Sequence, residues 1–175
     1  MLRKINAILS LVCVFLLMDH AIFHAVWMLS MGNVEKSTTV TSWVMFGLMF
    51  VHAGISISFA ITGHKGATVK EGKEYPKLNL ETMIQRMGGM LLIIFTILHV
   101  AGTVGILQPP PLVHAILPPI FFTFAMAHVF VSTSKAFITL GIGNSKSVKV
   151  IDIVFKVLCV VTLIAAVVGF YLFVC

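Results

Sequence analysis

The sequence predicts an all-α membrane protein, five transmembrane helices in one bundle. Two observations carry that expectation. Of its 175 residues 59% are hydrophobic and only 10% are charged, with a mean hydropathy of +1.07; a soluble domain of this size carries about 25% charged residues. Five apolar stretches, residues 6–31, 41–63, 84–107, 113–139 and 150–174, are each long enough to cross a bilayer, which takes about 20 helical residues. Nearly the whole chain is span, so residues 1–175 form a single domain, with no soluble part large enough to hold its own core.

The first span follows Arg3 and Lys4 and contains "LLMDHAIFHAVWML", where Asp19, His20 and His24 interrupt the apolar run. Polar groups at that depth are expensive in a membrane and call for a role. A basic start before an apolar centre is also the layout of a signal peptide. Here the apolar run outlasts the usual length, Asp19 and His20 break it, and no A-x-A site follows. The loop "MGNVEKSTTV" leads to span 2, which holds His52 and ends at Gly63. "HKGATVKEGKEYPKLNLETM" is the longest and most charged connection. Span 3 holds His99. The short, proline-rich "LQPPPL" pairs spans 3 and 4 tightly, and span 4 holds His128. The turn "GIGNSKSVK" leads to span 5, which has no histidine.

Charge gives the topology. Eleven of the twelve lysines and arginines fall before span 1, between spans 2 and 3, or around the turn between spans 4 and 5; Lys36 alone lies on the other side. By the positive-inside rule the N-terminus is cytoplasmic and Cys175 is outside. The net charge of +6 therefore reports orientation rather than nucleic-acid binding, and the basic inner loops are available to a partner. Cys13, Cys159 and Cys175 are scattered and odd in number, so no disulfide framework is expected. No C-x-x-C-H is present for covalent haem.

Of seven histidines, His64 and His114 sit at span ends, where a wetted surface role is expected. His20, His52, His99 and His128 lie well inside four consecutive spans. One such histidine serves well enough as a hydrogen bond between helices; four in a row ask for more. At ~1.5 Å per residue, His20 and His99 lie ~21 and ~22 Å above the inner face, and His52 and His128 ~16 and ~12 Å. An upper pair, His20 with His99, and a lower pair, His52 with His128, point to two stacked b haems enclosed by the bundle, because imidazole is a standard axial haem ligand. The two ligands of one haem approach from opposite faces, so His20 and His24, at i and i+4 on one helix face, cannot share one. A small metal ion between them lacks a supporting acidic or cysteine set. Gly88 and Gly102, near the face of His99, leave room for a flat ring, although small residues also serve close helix packing. Ser56 follows His52 by four residues. Ser132 and Lys135 follow His128 by four and seven, and Lys135 is placed to pair with a haem propionate.

"QRMGGMLLIIFTILHVAG", residues 85–102, resembles the Gln-Arg-x-x-Gly, apolar run and His of the cytochrome b anchor subunit of succinate dehydrogenases and fumarate reductases. "HVFVSTSKAFITLGIGNSKSVK", residues 128–149, resembles the fourth span and following turn of that subunit, and "LLMDHAIFHA" and "LMFVHAGISISFAI" resemble its first two spans more loosely. The resemblance covers most of the chain and is to the single-chain, five-helix, two-haem type. It implies a bacterial cytoplasmic-membrane protein binding two haem b, with His52 and His128 on the proximal haem and His20 and His99 on the distal one. Arg86 and Lys135 belong to the cofactor-binding set. Electrons would pass between menaquinone or another quinone and the iron–sulfur and flavoprotein subunits on the cytoplasmic side. Dicarboxylate chemistry belongs to those partners, and the complex could pair as a dimer.

The chain departs from the family in two ways. It is short, and Met126 stands where some relatives carry a glutamate two residues before the fourth ligand, which puts that proton path in doubt. His24 and Glu35 are candidates for an outer quinone site, Glu35 being equally a solvated loop charge. If span 1 is displaced by a turn, His24 replaces His20 as ligand. Asp19 has no assigned role. The other readings are an anchor of the same fold for a different reductase, a free-standing transmembrane cytochrome b carrier, and a haem-free transporter or packing scaffold.

Overall fold

A computed structural model describes residues 1–32, 39–61, 76–108, 110–142 and 146–174. Glu35, one of the two candidate quinone residues, lies outside them, as does Cys175. The chain forms five helices in order: α1 (Leu2–Leu29), α2 (Thr39–Ile61), α3 (Pro76–Thr103), α4 (Pro111–Leu140) and α5 (Lys146–Val174). All five are long and apolar enough to cross a membrane. They outrun the apolar stretches at the basic end, where α1 takes in Arg3 and Lys4 and α3 starts eight residues before the apolar run. Pro76 and Pro111 open their helices, the position where a missing N–H costs nothing and φ is already helical. α1 stops where Met31 and Gly32 take positive φ, and α4 where Gly141 does (φ 83°). At Gly141 the amide bonds the Ile138 carbonyl and the next amide bonds Phe137, the usual way of satisfying a helix C-terminus.

α1 to α4 stand at the corners of a square. α1 packs on α2 and α4, α3 packs on α4, and the α2–α3 edge barely closes. α5 lies outside, against α1 and α4. The diagonal pairs, α1 with α3 and α2 with α4, make no close backbone approach among the described residues. The dry core sits on the α1–α4–α5 side, where Val14, Met18, Ala21, Met126, Val129 and Cys159 are buried together. Gly169 lets α5 come close to α1: a Cβ there would stand 3.2 Å from Leu29 Cγ and 3.3 Å from Met28 Cβ.

Polar ties fix the register. Asn6 Nδ2 donates to Ser56 Oγ at 3.1 Å, and Ser42 Oγ lies 3.0 Å from His20 Nδ1, so α1 and α2 run antiparallel. Lys135 Nζ donates to Gln85 Oε1 at 2.9 Å and ties α4 to α3. Between α4 and α5, Lys156 Nζ meets Asp152 Oδ2 at 2.6 Å and donates to Ser134 Oγ at 2.8 Å, while the Ser134 hydroxyl donates to the Asp152 carboxylate at 3.0 Å. This triad sits in the lower half of the bundle, "lower" meaning the end that carries Met1.

Candidate functional site: two histidine levels across the bundle diagonals

His52 stands on α2 and His128 on α4, the two ends of one diagonal. Each lies within electrostatic range of the other. The Asn6 main chain lies beside the His52 ring, and the Gln85 main chain beside the His128 ring. In both rings Nδ1 is buried with no hydrogen-bond partner. Asn6 Oδ1, Thr96 Oγ1 and Ser132 Oγ are buried and unsatisfied as well. An orphaned buried polar atom costs about 1–3 kcal/mol, and native structures hold few of them, each calling for an explanation. Here they come from all four helices that surround the two diagonals.

The His128 ring lies against a flat floor. A Cβ on Gly89 would stand 3.2 Å from His128 Cε1, and one on Gly88 would stand 3.6 Å from His128 Nδ1. Both glycines belong to the 85–102 motif. The sequence reading assigned Gly88 to the surroundings of His99, but the antiparallel pairing of α3 and α4 turns it to His128. Gly102 has open space beside it. Lys135, held by Gln85, adds its charge to the field at His128. Arg86, expected in the cofactor set, is exposed, and its neighbour Gln85 is the residue of that motif that meets Lys135 and His128.

The upper level is built differently. Ser42 Oγ lies 3.0 Å from His20 Nδ1. The His24 ring lies 4.5 Å from the His20 ring, centre to centre, and the file continues upward through Trp27 to Phe173. His99 stacks on Phe121 at 5.4 Å, beside Phe95 and Phe124. No group of three or more His, Cys, Asp or Glu side chains gathers to hold a metal ion among the described residues.

The two walls keep the same spacing. Asn6 meets Ser56, so His52 is level with residue 10 of α1, ~15 Å below His20. On the other wall Gly88 and Gly89 mark the height of His128, and His99 follows them by ten or eleven residues, ~16 Å. Substituting His24 for His20 would stretch the first wall to ~21 Å. On each wall, α1–α2 and α3–α4, the two histidines are thus separated by about the same height, ~15–16 Å.

Two imidazoles reaching from diagonally opposite helices, one of them against a glycine floor, fit the demands of a flat macrocycle bound from both faces. Sequence reasoning found the four histidines, Ser132 and Lys135. It missed Asn6, Ser42, Gly89 and Gln85, whose roles appear only once the helices are paired. No family model, curated protein or solved structure matches the chain.

Proposed function

We propose that the chain is the membrane anchor and electron-transfer subunit of a quinone-linked succinate dehydrogenase or fumarate reductase, with two haem b carried by His52 with His128 and His20 with His99. The observation that carries this reading is the His52–His128 diagonal, two rings from opposite helices, each with a buried orphan nitrogen, with the His128 ring against Gly88 and Gly89. Haem bound at the two levels supplies one-electron carriers stacked through the span. The chain's own residues do the rest. Gly88 and Gly89 keep side chains out of the ring plane, and Lys135 stands beside His128 to neutralise a propionate. Ser42 holds the His20 ring in one orientation, as outer hydrogen bonds do for ligating histidines generally. His24, one turn above His20, and the loop residue Glu35 are assigned to the outer quinone site. The basic lower end meets the iron–sulfur and flavoprotein subunits.

The test is the reduced-minus-oxidised spectrum and haem content of the purified chain. Two haems per chain with b-type bands are expected. His52→Ala or His128→Ala should each leave the upper haem, and His20→Ala or His99→Ala the lower. Absence of b-type bands would end the haem reading. Loss of the upper haem in His24→Ala, with His20→Ala silent, would move the span 1 ligand by a turn. Co-purification of a flavoprotein and an iron–sulfur protein separates the anchor from a free-standing carrier.

A further inference from the structure

Asp19 is used by neither histidine level. On α1, residues 8, 12, 15, 19, 23 and 26 recur every three or four positions and so share one face. That face points away from the bundle: Phe15 is 71% and Phe23 46% exposed, and Ile8, Val12 and Val26 are exposed with them. Asp19 is in the middle of this stripe, on the side opposite the buried Val14, Met18, Ala21 and Ala25. Within the five helices Asp152 is met by Lys156 and Ser134, whereas no described residue bonds or pairs with the Asp19 carboxyl. Acidic groups inside a membrane normally face the bundle interior or a partner. Asp19 is half-buried among these exposed apolar side chains, ~20 Å above the level of Asn6.

We propose that this face of α1 is an intersubunit surface, and that its occupant is a transmembrane helix of a different chain carrying a lysine or arginine at the depth of Asp19. Charge complementarity selects the occupant. A second copy meeting α1 across a twofold axis would set Asp19 against Asp19. The described cations of this chain offer no closed alternative. Lys135 and Lys156 are held by Gln85 and Asp152, Arg3, Lys4, Lys77, Lys146 and Lys149 lie at the lower end, and the exposed Arg86 is on α3. α3 occupies the corner diagonal to α1, so an Asp19–Arg86 contact between copies is head-to-tail and strings molecules in rows rather than closing a dimer. A foreign helix with one cation satisfies the carboxyl and covers Phe15 and Phe23 together.

The full chain in lipid vesicles, labelled with a fluorescence donor, tests this against two acceptor-labelled 23-residue Leu/Ala peptides. One carries a single lysine at the matching depth and the other leucine there. The lysine peptide is expected to associate about tenfold more tightly, the size of a good polar contact between membrane helices. Asp19→Leu should abolish the difference and Asp152→Asn should preserve it, with helicity confirming that both variants fold. Equal association of the two peptides with the unmodified chain would overturn the proposal. So would Asp19-dependent self-association, read as disulfide cross-linking of Phe15→Cys without peptide.

Discussion

Gly89 offers the sharpest test of the lower site, because the structure separates its effect on stability from its effect on His128. In Gly89→Ala the new methyl stands 3.2 Å from His128 Cε1 and 3.7 Å from Nδ1, so the ring must yield by a few tenths of an ångström. A side chain displaced by a modest rotation loses about 0.5–1.5 kcal/mol, and replacing a mid-helix glycine by alanine returns about 0.5–1 kcal/mol. The two nearly cancel, so the melting temperature should hardly move while the ring turns. Gly89→Val adds two further carbons toward the ring and should cost about 1–3 kcal/mol through overpacking. Gly88→Ala, at 3.6 Å from the same ring, is an ordinary contact, and Gly102→Ala meets nothing within 4 Å; both serve as controls. The assay pairs haem content per chain with thermal unfolding followed by helicity. The expected order of lower-haem retention is Gly102→Ala, Gly88→Ala, Gly89→Ala, Gly89→Val, with only the last losing much stability. Full haem content and an unshifted spectrum in Gly89→Val would refute the claim that this floor supports a ligand at His128.

Two further outcomes follow from the polar ties. Lys156→Met strands Asp152 with Ser134 alone inside a span and should cost about 1.5–3 kcal/mol, the worth of a charged hydrogen bond, read as a lower melting temperature in detergent. Adding Asp152→Leu to it should recover part of that loss, because removing both charges is milder than orphaning one. Ser42→Ala releases the His20 ring, so a redox titration should show a displaced midpoint for the upper haem and an unchanged one for the lower; equal displacement of both would mean that Ser42 acts through the fold.

Much of the fold was legible in the sequence because a bilayer permits so few solutions. The five stretches coincide with the five helices, and the errors are at the ends. Hydropathy reports apolar content, so it missed the lower turns of α1, α3 and α5, where helix continues among Arg3, Lys4, Lys77, Lys146 and Lys149. It carried span 3 past Thr103, where Gly105 at φ 78° already ends the helix. Heights counted from the span ends put His20 only ~5 Å above His52, whereas the Asn6–Ser56 and His20–Ser42 ties separate them by ~15 Å: the count set Gly63 level with Asn6, where the structure sets Ser56. Rotation was no more legible. Gly88 was read onto His99 by counting along one helix, but its neighbour is decided by α4, and counting carries no information about α4. The Asp152–Lys156 pair is a visible i,i+4 spacing; Ser134, eighteen residues away, completes it only in three dimensions. Asp19 was legible as an anomaly, and its place among the exposed side chains of α1 needed the packing of α1 against α4 and α5.

α2 contributes no fully buried residue among those described, and it holds to α1 beside an almost open edge with α3. Its side-chain ties to α1 include the Asn6–Ser56 and His20–Ser42 bonds, each about 0.5–1.5 kcal/mol. The hydrophobic core is shared by α1, α4 and α5 without it. α2 sits at the edge of that core, so it should exchange its amide hydrogens sooner than α1, α4 and α5 and be reached by proteases before them.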